Sequence, residues 1–195
     1  MTPKETTAVR SSLKRKRRSL DPNFIADASE KIGARFWQSS FAQRATNIAI
    51  YMSTAGEVDC STIIKTAWLR KKRVFAPVLQ GKRLEFASLK PDTKLAANRF
   101  GILEPVYTRS SLLPRAQLDI VVVPLLAFDA KLNRLGMGAG FYDRSFAFTQ
   151  QQKQWRHPVL VGAAYSFQQI KDTQPKAWDV PLHVVITEKE CFGSY

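Results

Sequence analysis

The first forty residues repeat apolar side chains at helical spacing, in two separate stretches. One stretch, residues 6–20, has an apolar stripe formed by Val9, Leu13 and Leu20. This first helix should end near Asp21 and Pro22. Asp21 can cap a second helix, and Pro22 suits the first turn of that second helix. The apolar positions of the second stretch are Ile25, Ala28, Ile32 and Phe36. The spacing therefore predicts two consecutive helices.

Farther along, short apolar runs alternate with more helical stretches. The runs cover residues 47–52, 74–78, 118–124, 159–164 and 182–186. The run at 118–124 is the strongest strand signal, because its middle is apolar on both faces. Helices are predicted over residues 62–70 and 142–155. A turn at Gly81 leads into alternating residues 84–87, a pattern that is typical of a hairpin-like edge.

Strands that alternate with helices indicate the α/β class. We expect a mostly parallel sheet of at least five strands, flanked by helices on both faces, with Val121 and Val122 buried near its centre. Ligands in such sheets bind beyond the carboxyl ends of strands. The loops that follow Met52, Val78 and Pro124 are therefore the places where a site is expected.

Composition places the chain among globular proteins. Its 195 residues, 45% of them apolar and 24% charged, suffice for one domain with a real core, spanning residues 1–195. No apolar run reaches the roughly eighteen residues of a membrane-spanning helix. Two cysteines make no disulfide framework, and two histidines make no evident zinc site. We expect a cytoplasmic protein, with a mitochondrial presequence in the basic first residues as the open alternative.

The formal net charge of +14 is the outstanding number in the composition. Such a charge attracts polyanions: nucleic acid, an anionic membrane, or phosphorylated and carboxylated small molecules. Much of the excess lies in one basic run, residues 14–18. Charge alone does not choose among these partners.

A glycine-rich segment follows the strongest predicted strand. It reads Arg134-Leu135-Gly136-Met137-Gly138-Ala139-Gly140-Phe141-Tyr142-Asp143-Arg144. Glycines let a backbone approach phosphates closely and point N–H groups at them, and the start of a helix adds positive potential. Arg134 can add a bidentate contact to a phosphoryl oxygen, and Asp143 can supply an oxygen to Mg²⁺.

The spacing of these glycines also fits an ordinary turn between a strand and a helix, and this reading stays open. Two better-known phosphate motifs do not fit. A dinucleotide fingerprint requires glycine where Phe141 stands, and a P-loop requires Gly-Lys-Ser/Thr, which the chain lacks.

Several motifs in order resemble the 5-formyltetrahydrofolate cyclo-ligases, also called 5,10-methenyltetrahydrofolate synthetases. The likeness covers almost the whole chain. The matching segments are the basic helix at residues 10–20, Tyr51-Met52-Ser53 through Glu57, residues 100–105, the strand and Phe128-Asp129 before the glycine-rich segment, that segment itself, and residues 179–182.

The resemblance implies a three-layer, Rossmann-like fold, similar to the NagB/RpiA/CoA-transferase-like fold. It also implies ATP- and Mg²⁺-dependent closure of 5-formyltetrahydrofolate to 5,10-methenyltetrahydrofolate. Arg134 and Tyr142 would be catalytic. The ATP phosphates would be surrounded by Arg10, Lys14, Arg134, Leu135, Gly136, Met137, Gly138, Ala139, Gly140, Phe141 and Tyr142. Met52 and Glu57 would contact the folate, and Asp143 and Asp179 would hold Mg²⁺.

Two departures from the family pattern bear on the site. Leu132 stands where the family usually has glycine, so a positive φ in that turn is expected at Asn133 instead. Phe141 replaces the commoner tyrosine, which keeps the ring and removes a hydroxyl.

Three alternatives stay open beside the enzyme reading. Glu57 and Asp179 can be ordinary loop residues. The basic run can be an RNA-binding arm, although it lies on a helix with an apolar stripe and has no aromatic residues interleaved for base stacking. The chain can also be a folate-site relative with a changed substrate. We expect small-molecule substrates, including folates that bear one or several glutamates, with no nucleic acid and no membrane, and a monomer.

Overall fold

An eight-stranded sheet forms the centre of the computed structural model, which describes residues 3–54, 56–151 and 158–193. The strands are β1 (Asn47–Ile50), β2 (Arg73–Gln80), β3 (Arg83–Ser88), β4 (Leu95–Ala97), β5 (Leu103–Pro105), β6 (Leu112–Leu113), β7 (Ile120–Pro124), β8 (Ala127–Phe128), β9 (Arg134–Leu135), β10 (Val159–Ala163), β11 (Val184–Ile186) and β12 (Cys191–Phe192). The helices are α1 (Pro3–Arg18), α2 (Pro22–Gln38), α3 (Ser40–Arg44), α4 (Ser61–Leu69), α5 (Phe141–Phe146) and α6 (Phe148–Gln151).

Strand order in the sheet is β12-β11-β10-β7-β1-β2-β3-β6. The five strands from β11 to β2 are parallel. At the ends of the sheet, β12 pairs antiparallel with β11, β3 with β2, and β6 with β3. β7 lies near the centre, where Val121 is 1% and Val122 is 0% exposed. The predicted mostly parallel sheet with buried central valines is confirmed. The predicted hairpin is β2–β3, although β6 extends the sheet one strand beyond it.

The two faces of the sheet carry different covers. On one face Ile48, Ile50 and Val122 pack against the apolar side of α2 and α4. Alternate residues of the same strands, such as Ala49 and Val121, point to the other face, as side chains in a strand must. There the cover consists of the short helices α5 and α6 and of loops, while α2 and α4 lie on the first face.

The helix predicted over residues 142–155 is divided in the structure. α5 ends at Phe146 and α6 begins at Phe148, and residues 152–157 lie outside the described chain. Phe146 and Phe148 pack against the same core cluster, with ring centroids 6.1 Å apart. Residues two apart on one α-helix face different directions, so the break at Ala147 lets both rings reach the core.

The first two helices form as the spacing predicts. α1 ends at Arg18, two residues earlier than predicted, and α2 begins at Pro22. Asp21 caps α2, since its Oδ1 accepts hydrogen bonds from the backbone of Asn23 at 2.7 Å and Phe24 at 3.3 Å. None of the helices in the described residues has the length and hydrophobicity of a transmembrane span.

Candidate active site

A cleft of about 1120 Å³ opens at the carboxyl ends of β1 and β7. This edge of the sheet is the place where ligands of parallel α/β folds bind. The cleft brings together every residue for which a site role is predicted: Arg10, Lys14, Met52, Glu57, Arg134, Leu135, Gly136, Met137, Gly138, Ala139, Gly140, Phe141, Tyr142, Asp143 and Asp179. Their individual roles stay predictions.

The glycine-rich segment, residues 134–144, lines one wall of the cleft and exposes its backbone there. Gly138 has φ +103° and Gly140 has φ +64°, values that suit glycine and few other residues. Two carbonyls of the segment are held by arginines: Arg10 Nε donates to Gly136 O at 3.0 Å, and Arg144 Nη2 donates to Ala139 O at 2.6 Å. Among the described residues, the amides of residues 136–139 have no hydrogen-bond acceptor, so they are donors available to an anion.

Arg134 and Asp143 form an ion pair beside this backbone. Arg134 Nη2 lies 2.6 Å from Asp143 Oδ1, and the two side chains are 6% and 16% exposed. Asp143 Oδ1 also accepts a hydrogen bond from the backbone of Val180 at 3.1 Å. The other terminal nitrogen of Arg134, Nη1, lies against Gly136, where an added Cβ would be 3.1 Å away. Asp143 therefore holds the guanidinium through Nη2, while Nη1 lies beside Gly136.

Tyr142 lies next to this ion pair, and the Arg134 guanidinium is 5.8 Å from its ring centroid. Desolvation raises the pKa of the Tyr142 phenol well above its ordinary value, although the Arg134 charge acts in the opposite direction. The phenol therefore stays protonated at neutral pH. It can donate a hydrogen bond and cannot serve as a base.

Asp143 and Asp179 are the candidate magnesium ligands. Asp143 uses Oδ1 for Arg134 and Val180, and Asp179 uses Oδ2 for the backbone N–H of Lys176 at 2.8 Å. The second oxygen of each carboxylate makes no hydrogen bond with the described residues. Mg²⁺ commonly takes one or two carboxylates and completes its shell with waters and substrate phosphates. No larger group of three acidic, histidine or cysteine ligands occurs in the described part of the chain. The donor set fits magnesium.

The turn before the glycine-rich segment differs from the prediction. Leu132, and not Asn133, has the positive φ of +65°. Asn133 instead uses its backbone and side-chain amides to bind the carboxylate of Asp129, at 3.1 and 3.2 Å. The side chain of Leu132 packs on the core of the second face, and its carbonyl accepts from Leu182 at 2.9 Å. This burial offsets the roughly 1–2 kcal/mol that a left-handed leucine costs.

Buried Asp129 also joins this turn to the loop that carries Asp179. Its Oδ2 accepts hydrogen bonds from Thr173, from the hydroxyl at 2.7 Å and from the backbone at 3.1 Å. Burial acts to raise the pKa of Asp129, but the hydrogen bonds from Thr173 and Asn133 hold it below its ordinary value. The ionised carboxylate therefore ties together two loops that border the cleft.

The basic run of α1 is divided between the cleft and solvent. Lys14, Arg17 and Arg18 line the cleft, together with Arg10 of the same helix, whereas Arg15 is exposed and Lys16 Nζ lies 4.3 Å from the ring centroid of Phe167. Arg17 and Arg18 are residues that the sequence reasoning missed. The spacing from Arg10 to Lys14 to Arg17 follows one helix face, which is the signal that could have found Arg17.

The loop after β1 carries the two predicted folate contacts. Met52 is half-buried and lines the cleft. Glu57 Oε1 lies 3.2 Å from Arg17 Nη2, and its Oε2 accepts from the backbone of Thr54 at 3.0 Å. Each carboxylate oxygen has a second lone pair, so Glu57 can still accept hydrogen bonds from a ligand.

Exposed aromatic rings at the rim of the cleft were also missed as site residues. Phe100 is 57% and Trp178 is 65% exposed. The Phe100 ring lies edge-on to Phe141, with centroids 6.1 Å apart. Phe141 also contacts the Arg144 guanidinium, which lies 5.4 Å from its ring centroid. The ring of Phe141 therefore keeps its packing contacts without the hydroxyl of the tyrosine that is commoner at this position. The cleft thus combines a wall of backbone amides that lack an acceptor among the described residues with flat apolar surfaces.

Comparison with known proteins agrees with the resemblance in sequence. The model of the 5-formyltetrahydrofolate cyclo-ligase family matches residues 3–188. The 5-formyltetrahydrofolate cyclo-ligase of Haemophilus influenzae is 42% identical over 74% of this chain and 76% of the relative. That of Escherichia coli is 33% identical over 90% of this chain and 96% of the relative. The 5,10-methenyltetrahydrofolate synthetase structure from Aquifex aeolicus aligns with a TM-score of 0.80 at 28% identity, covering 96% of this chain and 92% of that one.

Proposed function

The chain belongs to the 5-formyltetrahydrofolate cyclo-ligase family, and we propose that it closes 5-formyltetrahydrofolate to 5,10-methenyltetrahydrofolate with ATP and Mg²⁺. The observation that carries this proposal is that the candidate ATP-binding residues and the candidate folate-binding residues line the same cleft. The available amides of residues 136–139 and the Arg134–Asp143 pair lie in the same cavity as Met52 and Glu57.

The reaction must make a poor leaving group into a good one. The N5-formyl group is an amide, and its oxygen does not leave unaided. Transfer of the γ-phosphoryl group of ATP to that oxygen breaks the bond to the β-phosphate and releases ADP. N10 then attacks the formyl carbon and loses its proton. Cleavage of the carbon–oxygen bond releases phosphate, which carries the former formyl oxygen, and leaves the methenyl bridge.

The glycine-rich segment binds the ATP phosphates in this proposal. Its amides donate to the phosphate oxygens, and Arg10 and Lys14 add positive charge from α1. Arg134 donates to the phosphoryl group in transfer through the nitrogens that Asp143 does not use. These donors are fixed before the substrate arrives, which is the main requirement for stabilising charge in phosphoryl transfer.

Asp143 and Asp179, each with one carboxylate oxygen that makes no hydrogen bond to the described residues, would hold the magnesium ion. The ion supplies neutralisation of the phosphate charge and fixes the geometry of the phosphates. Asp143 would then balance two positive charges, the Arg134 guanidinium that it already binds through Oδ1 and the metal ion.

Met52 and Glu57 bind the folate in the same cleft, so that its formyl oxygen meets the phosphates. The raised pKa of Tyr142 keeps the phenol protonated, so it donates a hydrogen bond to a developing negative oxygen. Arg134 and Tyr142 are the catalytic residues in this reading. Positioning and charge neutralisation supply the rate, and no nucleophilic serine or cysteine is required.

The direction of the basic run favours this reading over an RNA-binding arm. Arg10, Lys14 and Arg17 line the cleft, and Arg18 borders it while staying exposed. The positive charges of Arg10 and Lys14 attract ATP and the carboxylates of a folate, including one with several glutamates. We take residues 1–195 as one cytoplasmic domain that acts as a monomer, without nucleic acid or membrane.

Absorbance of the methenyl product tests the proposal. We expect product from 5-formyltetrahydrofolate only when ATP and Mg²⁺ are both present. Asp143→Asn keeps the size of the side chain and removes its charge, so the rate should fall at least about tenfold, with weaker metal-dependent ATP binding. Asp27→Asn, an exposed carboxylate on α2, is the matched control and should behave as the parent.

Three results would overturn the proposal. Product without ATP would contradict the phosphoryl transfer. No product, with ATP still bound in a Mg²⁺-dependent way, would indicate a relative with a changed substrate. Tight RNA binding that neutralisation of residues 14–18 abolishes, without ATP binding, would support the RNA-binding alternative.

A further inference from the structure

Arg17 is the one buried side chain of α1 among those described, with 4% of its surface exposed. Its guanidinium crosses from the helix to two separate parts of the fold. Nη2 lies 3.2 Å from Glu57 Oε1, and Nη1 donates to the carbonyl of Leu125, just beyond β7, at 3.2 Å. Nε is buried and has no partner among the described residues.

The loop that carries Glu57 closes directly on this part of α1. Gly56 has φ +77°, and a Cβ there would lie 2.4 Å from the carbonyl oxygen of Arg17. Tyr165 donates a hydrogen bond from its hydroxyl to the carbonyl of Glu57 at 3.0 Å. Glu57 is thus fixed through its side chain, through its backbone and through the neighbouring glycine.

Stability alone does not account for such a pair. A buried ion pair loses the hydration of both charges, and well-packed apolar residues often stabilise a fold as much or more. Here the unpartnered Nε adds a further cost. The pair does orient Glu57, because the planar guanidinium of Arg17 fixes the position of the carboxylate that it binds.

We propose that Arg17 is a positioning residue for folate binding, and this rests on the proposed function. Arg17 and the amide of Thr54 each take one lone pair of the Glu57 carboxylate, on different oxygens. The remaining lone pairs are held in fixed directions at the cleft, where they accept hydrogen bonds from N–H donors of the folate. Arg17 therefore acts on the folate through Glu57, and not on ATP.

A kinetic comparison of five proteins tests this inference: the parent, Arg17→Gln, Glu57→Gln, the double variant, and Arg15→Gln as matched control. Arg15 is exposed on the same helix and carries the same charge. In Arg17→Gln we expect KM for 5-formyltetrahydrofolate to rise about tenfold or more, with KM for ATP within about twofold of the parent. The control should match the parent in both.

The double variant separates a positioning role from a direct one. If Arg17 acts through Glu57, the double variant should lose no more folate affinity than Glu57→Gln alone. Because it removes both charges together, it should also fold if Arg17→Gln by itself does not. Arg17→Lys keeps the charge without the planar fork and should fall between the parent and Arg17→Gln.

Three outcomes would overturn the inference. Additive losses in the double variant would mean that Arg17 and Glu57 act independently. A rise in KM for ATP instead of folate would make Arg17 an ATP ligand. A lower melting temperature with unchanged KM in the folded protein would make it structural. Failure of the parent to bind or convert 5-formyltetrahydrofolate would instead refute the proposed function, and the parent measurement detects this first.

Discussion

Helices α1 and α2 follow each other in the chain and are held in place by different forces. α2 buries Ile32 and Phe36, each 1% exposed, against the sheet, and begins at the cap formed by Asp21. α1 buries only the Arg17 guanidinium among its described side chains, and its Arg10 reaches the carbonyl of Gly136. One helix is attached by apolar area and the other by directed polar contacts.

The difference teaches which helix serves the fold and which serves the site. Apolar burial is large and has no preferred direction, so it stabilises the sheet and its cover. A polar contact contributes little net free energy but fixes an atom in one direction. Changes in α2 should therefore alter stability, and changes in α1 should alter ligand binding.

The largest effect is expected from the core side of α2. Phe36→Ala removes a buried ring that packs edge-on against Trp37 and Phe41. We expect the free energy of unfolding to fall by about 3–5 kcal/mol, because truncation removes apolar burial and leaves a cavity. Denaturant unfolding measures the loss. KM of the fraction that stays folded should match the parent, and a raised KM would break the comparison between the helices.

A smaller effect, of a different kind, is expected in α1. Arg10→Ala removes the hydrogen bond to Gly136 and one positive charge from the cleft. We expect KM for ATP to rise about tenfold, with the free energy of unfolding changed by less than about 0.5 kcal/mol. Steady-state kinetics and denaturant unfolding of the same preparation check both. Arg15→Ala is the control, and a loss of stability without a change in KM would reverse the assignment.

The smallest effect comes from an exposed ion pair on α2. Lys31 and Asp27 approach to 2.7 Å, closer than Arg17 and Glu57 at 3.2 Å, but their side chains are 54% and 58% exposed. We expect Lys31→Ala to change the free energy of unfolding by about 0.5 kcal/mol or less, since solvent screens the pair. Its kinetic constants should not change. If Lys31→Ala lowered the free energy of unfolding more than Arg17→Gln does, the distance between the charges would matter more than their burial.

The sheet was predictable because its strands carry their own signal. Residues 120–123 are apolar on both faces, which only a central strand of a covered sheet requires, and β7 is that strand. β6 and β12 have two residues each, too few to show any period, and they form by pairing with distant strands. The break between α5 and α6 depends on where two phenylalanine rings reach the core, which the local spacing does not contain.

The grouping of the candidate residues in one cleft was predictable, and the contacts between them were less so. The glycine-rich segment, α1 and the loop after β1 do share one cleft. The pairing of Arg134 with Asp143, and of Arg17 with Glu57, joins residues nine and forty positions apart. Within the basic run, Arg17 looks like its neighbours and differs only because the folded chain surrounds it. Leu132 has a positive φ because its side chain packs against the core. Turn preferences do not include this tertiary contact, so they pointed to Asn133.

The path of one oxygen atom tests the proposed reaction most directly. 5-Formyltetrahydrofolate labelled with oxygen-18 in the formyl group is converted by the parent protein with ATP and Mg²⁺, and the released phosphate is analysed by mass spectrometry. Since the γ-phosphoryl group is transferred to that oxygen, we expect one labelled oxygen in each phosphate, and none when unlabelled substrate reacts in labelled water. Unlabelled phosphate from the labelled folate, with methenyl product still formed, would contradict phosphoryl transfer to the formyl oxygen.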